Sequence, residues 1–205
     1  MKHFMQPEIA VPSENLCGEA PLWHLASRSL LWTDCTGLEF LQYWPETGRW
    51  TVLARGIEVY GFRTRRGGGY VVTNTSGVWL WDGQGDLQPV VREVAGKPCQ
   101  ANDCTADSLG RLITATFYYN PQTEYELGAL LWISNSGQVR VLDEGYHLAN
   151  GIALSNDERT LYVTDSAARL IYAYDYDLQR GGVANRRVLV RIPDEDGIPD
   201  GLAVD

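Results

Sequence analysis

The chain has 205 residues and carries 17 Lys+Arg against 26 Asp+Glu, a net charge of −9. That length suits one domain with a core of its own, and a 44% hydrophobic, 11% aromatic composition excludes a disordered chain. The acidic balance argues against nucleic acid and anionic membrane as partners, since both ask for a basic footprint. No apolar run approaches the roughly 20 residues of a membrane helix. Met1 to Glu8 lacks the apolar stretch of a signal peptide, so the expectation is a cytoplasmic protein.

Short runs rich in β-branched and aromatic residues predict strands at 29–34, 50–54, 70–73, 77–81, 87–91, 111–116, 129–133, 139–142, 160–164, 170–174 and 187–192. The gaps hold turn chemistry, such as Asp82-Gly83-Gln84-Gly85, Asn135-Ser136-Gly137 and Arg180-Gly181-Gly182. No stretch sustains a 3.6-residue apolar period over three turns. The predicted class is all-β.

These strands recur in a larger unit. Ala149-Asn150-Gly151-Ile152-Ala153-Leu154 followed by Leu161-Tyr162-Val163-Thr164-Asp165 serves as the template. Gly18 to Trp23 with Leu30 to Asp34 repeats both halves, as does Ala101 to Asp107 with Leu112 to Ala115. Val59 to Arg63 with Gly69 to Thr73 is a weaker copy, and Pro199 to Asp205 repeats the first half. A period of about 41–50 residues, four strands long, is that of a β-propeller blade. The predicted architecture is therefore a single propeller domain over 1–205, with antiparallel four-stranded blades near 14–55, 56–98, 99–146 and 147–196. A fifth blade begins at 197–205, so the expectation is the N-terminal part of a longer propeller, about two blades short.

The first strand of each blade lines the central tunnel, so equivalent positions converge on one axis. Those positions are Glu19, Tyr60, Asn102, Asn150 and Asp200. Four of the five carry side-chain oxygens of the acid or amide kind, a hard-oxygen set suited to Ca²⁺, Mg²⁺, Mn²⁺ or carboxylate-bound Zn²⁺. The alternative is that they bind ordered water.

The motifs "CGEAPLW" at 17–23, "ND" at 102–103, "LANGIALSNDERTLYVTDS" at 148–166 and "IPDGLAVD" at 198–205 resemble the gluconolactonase–regucalcin (senescence marker protein) family of six-bladed propellers. The resemblance implies a divalent cation, Ca²⁺ first, held by Glu19, Asn150 and Asp200, with Asn102 and Asp103 facing the substrate. It also implies hydrolysis of a lactone, a sugar lactone in the first instance; that reaction needs an activated water, and Asp200, as a ligand beside the cation, is the candidate general base toward it. Two departures bear on specificity. Gln100 stands where sugar lactonases of the family often carry Arg, and Phe117-Tyr118-Tyr119-Asn120 stands where a carboxylate is common. Gln100, Tyr118 and Tyr119 are thus the residues expected to shape substrate choice, in a lid that is less charged and more aromatic.

Two other readings stay open: a non-enzymatic calcium-binding or interaction propeller, and a related metal-dependent esterase or phosphotriesterase. No G-x-S-x-G, G-x-G-x-x-G or Walker loop occurs. Cys17, Cys35, Cys99 and Cys104 read as free, mostly buried thiols of a reducing compartment. His24 reads as structural and His147 as a neighbour of the Asn150 region. Arg63, Arg65 and Arg66 read as a solvated hairpin.

Overall fold

The structure is a computed structural model that describes residues 8–118 and 126–205. Regular structure among these residues is strand, apart from one 3₁₀ turn at Asp194–Asp196. No helix among them is long and apolar enough to cross a membrane. The chain divides into two compact units, 1–58 and 59–205.

The first unit holds one four-stranded antiparallel sheet, β1 (Gly18–His24), β2 (Ser29–Asp34), β3 (Glu39–Trp44) and β4 (Arg49–Arg55), paired in chain order. Its centre is β2 and β3, where Leu31, Phe40 and Leu41 are buried. β3 also buries Gln42, which donates from Nε2 to Ser29 Oγ at 2.8 Å and so meets the cost of desolvating its amide. His24 has its Nδ1 2.5 Å from Ser27 Oγ in the β1–β2 turn, a structural place as expected.

The second unit adds β5 (Gly61–Thr64), β6 (Tyr70–Asn74), β7 (Gly77–Trp81) and β8 (Gln88–Val91), then a two-residue hairpin of β9 (Glu93–Val94) and β10 (Lys97–Pro98). A third group is β11 (Ala101–Ala106), β12 (Leu112–Thr116), β13 (Gly128–Ile133) and β14 (Val139–Tyr146). A fourth is β15 (Ala149–Leu154), β16 (Thr160–Asp165), β17 (Leu170–Asp177) and β18 (Gly182–Arg191). Each of these three groups is a four-stranded antiparallel sheet in chain order. Their first strands are neighbours, with β11 packed against β5 on one side and β15 on the other. This is the arrangement of successive propeller blades.

Apolar faces between the sheets hold this unit together. Val78, Val91, Cys99, Cys104, Leu112, Leu131 and Ile133 form one buried cluster. Ile113, Leu130, Tyr146, Ile152, Leu161, Val163 and Tyr174 belong to another. Fully burying one such aliphatic side chain contributes about 1.5–3 kcal/mol, more than a typical hydrogen bond. Polar locks add register. Arg111 Nε donates to Asp107 Oδ2 at 2.6 Å, and the Tyr176 hydroxyl of β17 donates to the same oxygen at 2.7 Å. Ser108 N donates to Glu158 Oε1 at 2.7 Å.

A buried carboxylate closes the end of β2 and of β16 in the same way. Asp34 accepts from Leu16 N, Cys17 N and Gly37 N at 2.8–3.0 Å. Asp165 accepts from His147 N, Leu148 N and Ala168 N at 2.9–3.2 Å. The donors sit at the same sequence offsets in both sheets. Burial works to raise the Asp34 carboxyl, but these donors and the Asn15 amide outweigh it and hold it below its ordinary value.

Candidate active site

Within the second unit, Asn102 and Asp103 lie against the β15 segment that holds Asn150, and Asp200 lies against the same segment through its backbone. The Asn102-Asp103 pair lies on β11 where its register against β12 shifts, between Ala101↔Thr116 and Cys104↔Thr114. Asn150-Gly151 occupies the equivalent shift in β15, between Ala149↔Asp165 and Ile152↔Val163. Each is a β-bulge with one extra residue, a device that turns side chains out of the regular alternation. β5, whose anchor is Tyr60, pairs with β6 without any such shift. The bulge thus accompanies Asn102 and Asn150, the amide anchors of this unit, and is missing beside the aromatic Tyr60. In the first unit, Glu19 sits on β1 at a shift between Glu19↔Thr33 and Leu22↔Leu31, with Ala20 at φ 49°.

Close backbone approach carries the chain from one anchor to the next. A Cβ on Gly61 would lie 3.0 Å from Asp103 Cα and 2.8 Å from Thr73 Oγ1. The Asn102 amide donates from Nδ2 to Ala149 O at 2.9 Å, which leaves Oδ1 as the atom it can offer a ligand. Asp103 accepts from Cys104 N at 2.7 Å and from Ile152 N at 3.4 Å. Gly151 N donates to Asp200 O at 3.2 Å, which lays residues 200–202 along β15. Asn150 is half-buried and Asp200 exposed.

The electrostatics of this set are those of crowded acids. Burial pushes the Asp103 carboxyl upward, and the negative charge of Asp200 adds to that push. Arg63 and the Cys104 and Ile152 amides pull the other way, and the net direction is upward. A cation among these groups would relieve the repulsion. Two carboxylates and two amides offer hard oxygens only, a donor chemistry that fits Ca²⁺. Among the described residues, no three His, Cys, Asp or Glu side chains form a ready-made cage, so the fit rests on carboxylates and amides together.

The remaining expected residues sit around this set with varied support. Gln100 lies just before β11, its carbonyl accepting from Phe117 N at 3.0 Å. Phe117 packs edge-on against Tyr60, with ring centroids 6.0 Å apart. Tyr118 bridges to Glu126, and Lys97 Nζ stands 5.6 Å from its ring centroid while pairing with Glu126. Tyr118 thus lies beside a charged pair. Tyr119 lies outside the described residues.

One reading changes. Arg63 does not belong with Arg65 and Arg66 in a solvated hairpin. It is half-buried on β5, donates to Phe62 O at 2.7 Å, and its charge reaches Asp103 and Cys104. The available signal was its place two residues after Gly61, on the same face of the strand. His147 serves the Asp165 end closure through its backbone, with its ring half-exposed and Nδ1 3.4 Å from Asp165 Oδ2.

Comparison with known proteins agrees with this construction. The family described as "SMP-30/Gluconolactonase/LRE-like region" matches residues 17–205. Regucalcin of Danio rerio is 32% identical over 207 residues, covering 97% of this chain and 68% of that protein. Pentonolactonase XacC of Haloferax volcanii is 29% identical over 188 residues, covering 92% and 63%. A gluconolactonase structure from Xanthomonas campestris superposes with a TM-score of 0.79 at 25% identity, covering 93% and 67%. The chain thus spans about two thirds of the length of these relatives. With its repeated bulges, its oxygen-bearing anchors and a family match from Cys17 to Asp205, the chain belongs to the SMP-30/gluconolactonase/LRE-like family.

Proposed function

We propose that the protein is a lactonase that opens a sugar lactone with the help of one divalent cation, Ca²⁺ in the first instance. The observation that carries this reading is the approach of Asn102, Asp103 and Asn150 on two neighbouring bulged strands, with the backbone of Asp200 hydrogen-bonded beside them. A purely structural ion has no need of the Asn102-Asp103 pair beside it. The relatives named as pentonolactonase and gluconolactonase point to the same reaction class.

Asn150 and Asp200 are assigned as cation ligands, and Glu19 of the first unit is added on the strength of its motif. When bound, the cation would act as a Lewis acid on the lactone carbonyl and stabilise the charge developing on its oxygen. Asp200 accepts the proton of the attacking water at its carboxylate. Asn102 orients the ring or carbonyl oxygen, while Asp103 accepts hydrogen bonds from substrate hydroxyls. Gln100, Tyr118 and Tyr119 select among lactones.

The test is acid release over a panel of aldonolactones, simple esters and a phosphotriester, followed with a pH indicator with and without a chelator. Chelator-sensitive release from an aldonolactone supports the proposal. Preference for the ester or phosphotriester would move the assignment to that class, and silence on all of them would leave a cation-binding module.

A further inference from the structure

We infer that Cys17 and Cys35 are a redox pair that closes to a disulfide when the protein meets a small-molecule disulfide such as oxidised glutathione. The inference is independent of the lactonase reading. Gly18 and Asp34 are directly paired between β1 and β2. Cys17 and Cys35 are the next residues outward, and Cys35 N donates to Cys17 O at 3.0 Å. Opposed residues of an antiparallel pair have Cα atoms about 4.5–5.5 Å apart, inside the roughly 4.4–6.8 Å range of disulfides. Both cysteines are free, and the backbone pairing sets them opposite each other.

Their exposures divide the chemistry. Cys17 is half-buried and can meet the oxidant, whereas Cys35 is buried. The Cys17 thiolate attacks one sulfur of oxidised glutathione, forming a mixed disulfide and releasing one glutathione thiolate. The Cys35 thiolate then attacks the Cys17 sulfur, forming the internal bond and releasing the second glutathione. Two thiol protons are lost and one glutathione disulfide is reduced. Burial and the adjoining Cys17 push the Cys35 thiol up to about 12, which makes the second step slow at neutral pH. The product ties the start of β1, two residues before Glu19, to the end of β2.

The reduced protein is incubated with oxidised glutathione, acid-quenched and examined by intact mass, thiol count and peptide mapping. The expected product has lost two hydrogens, keeps two of its four thiols and yields a Cys17–Cys35 cross-linked peptide. Cys35→Ser should stop at one glutathione on Cys17. The oxidised wild type should unfold about 5–10 °C higher than the reduced form, a shift erased by dithiothreitol. Four persistent thiols, a stable glutathione adduct on wild-type Cys17, or a bridge to Cys99 or Cys104 would each overturn the inference.

Discussion

Replacing Gly151 by alanine puts a methyl group where backbone already lies. Its Cβ would stand 2.3 Å from Leu202 N and 2.7 Å from both Asp200 O and Gly201 C, none of which belongs to a flexible side chain. Ordinary contact begins near 3.4 Å, so residues 200–202 must retreat from β15 by about 1 Å. Overpacking of this kind costs about 1–3 kcal/mol, roughly 2–10 °C in unfolding midpoint for a chain of this size. The chemical loss should be larger, because the retreat moves Asp200 relative to Asn150. A displacement of about 1 Å at a reacting group can cost on the order of 10²-fold in rate. Turnover of the best lactone at saturating Ca²⁺, with Ca²⁺ affinity by calorimetry, separates misplacement from loss of the ion. Gly182→Ala is the control, since nothing lies within 4 Å of its added carbon. If Gly151→Ala keeps wild-type turnover, affinity and midpoint, the close seating of residues 200–202 on β15 does not position the site.

Asp200→Asn keeps the size and one oxygen but removes the basicity, so turnover at saturating cation should fall about 10²–10⁴-fold; near-normal turnover would assign the base elsewhere. Gln100→Arg should change relative rates among sugar lactones while leaving Ca²⁺ affinity in place, which a substrate panel and calorimetry read together. Asp107→Ala strands the Arg111 guanidinium, 11% exposed, beside the Tyr176 hydroxyl, and should cost about 3–5 kcal/mol in denaturant unfolding. The lowered Asp34 carboxyl contributes stability that is present above its unfolded value, about 3.9, and is lost as pH falls through the lower folded value. Asp34→Asn should therefore destabilise at neutral pH and flatten the acid limb of the stability curve, as followed by unfolding midpoints between pH 2 and 7.

Strand existence was legible where apolar and β-branched residues alternate without interruption. β2 and β7 match their predicted limits, 29–34 and 77–81. β3 was missed because Glu39 and Gln42 break its apolar pattern, and it is the pairing with Ser29 and Ser27 that explains a buried Gln42. β18 starts at Gly182, well before the predicted 187, because ladder pairing with β17 carries the polar stretch from Ala184 to Arg187. The β9–β10 hairpin was hidden by Ala95, which takes φ 50° where glycine would be the usual signal. At the candidate site, the repeat pointed to Asn102 and Asn150 but not to the bulges on which they sit. A bulge is a property of two strands in register, and no single strand spells it. The place of Arg63 beside Asp103 is likewise a fact of β5 lying against β11.

The end closures at Asp34 and Asp165 draw their donors from within 19 residues upstream and 3 downstream. Such a closure can form as soon as two strands of its sheet have left the ribosome, before the next repeat is made. Short-range contacts close quickly because little loop entropy is lost. A nascent chain of this design can therefore bank one finished module at a time and keep its sticky faces waiting only for the next. The same locality means that a duplicated segment of DNA encodes a unit able to hold its own shape on arrival, so the number of repeats could grow by copying without first redesigning the joints.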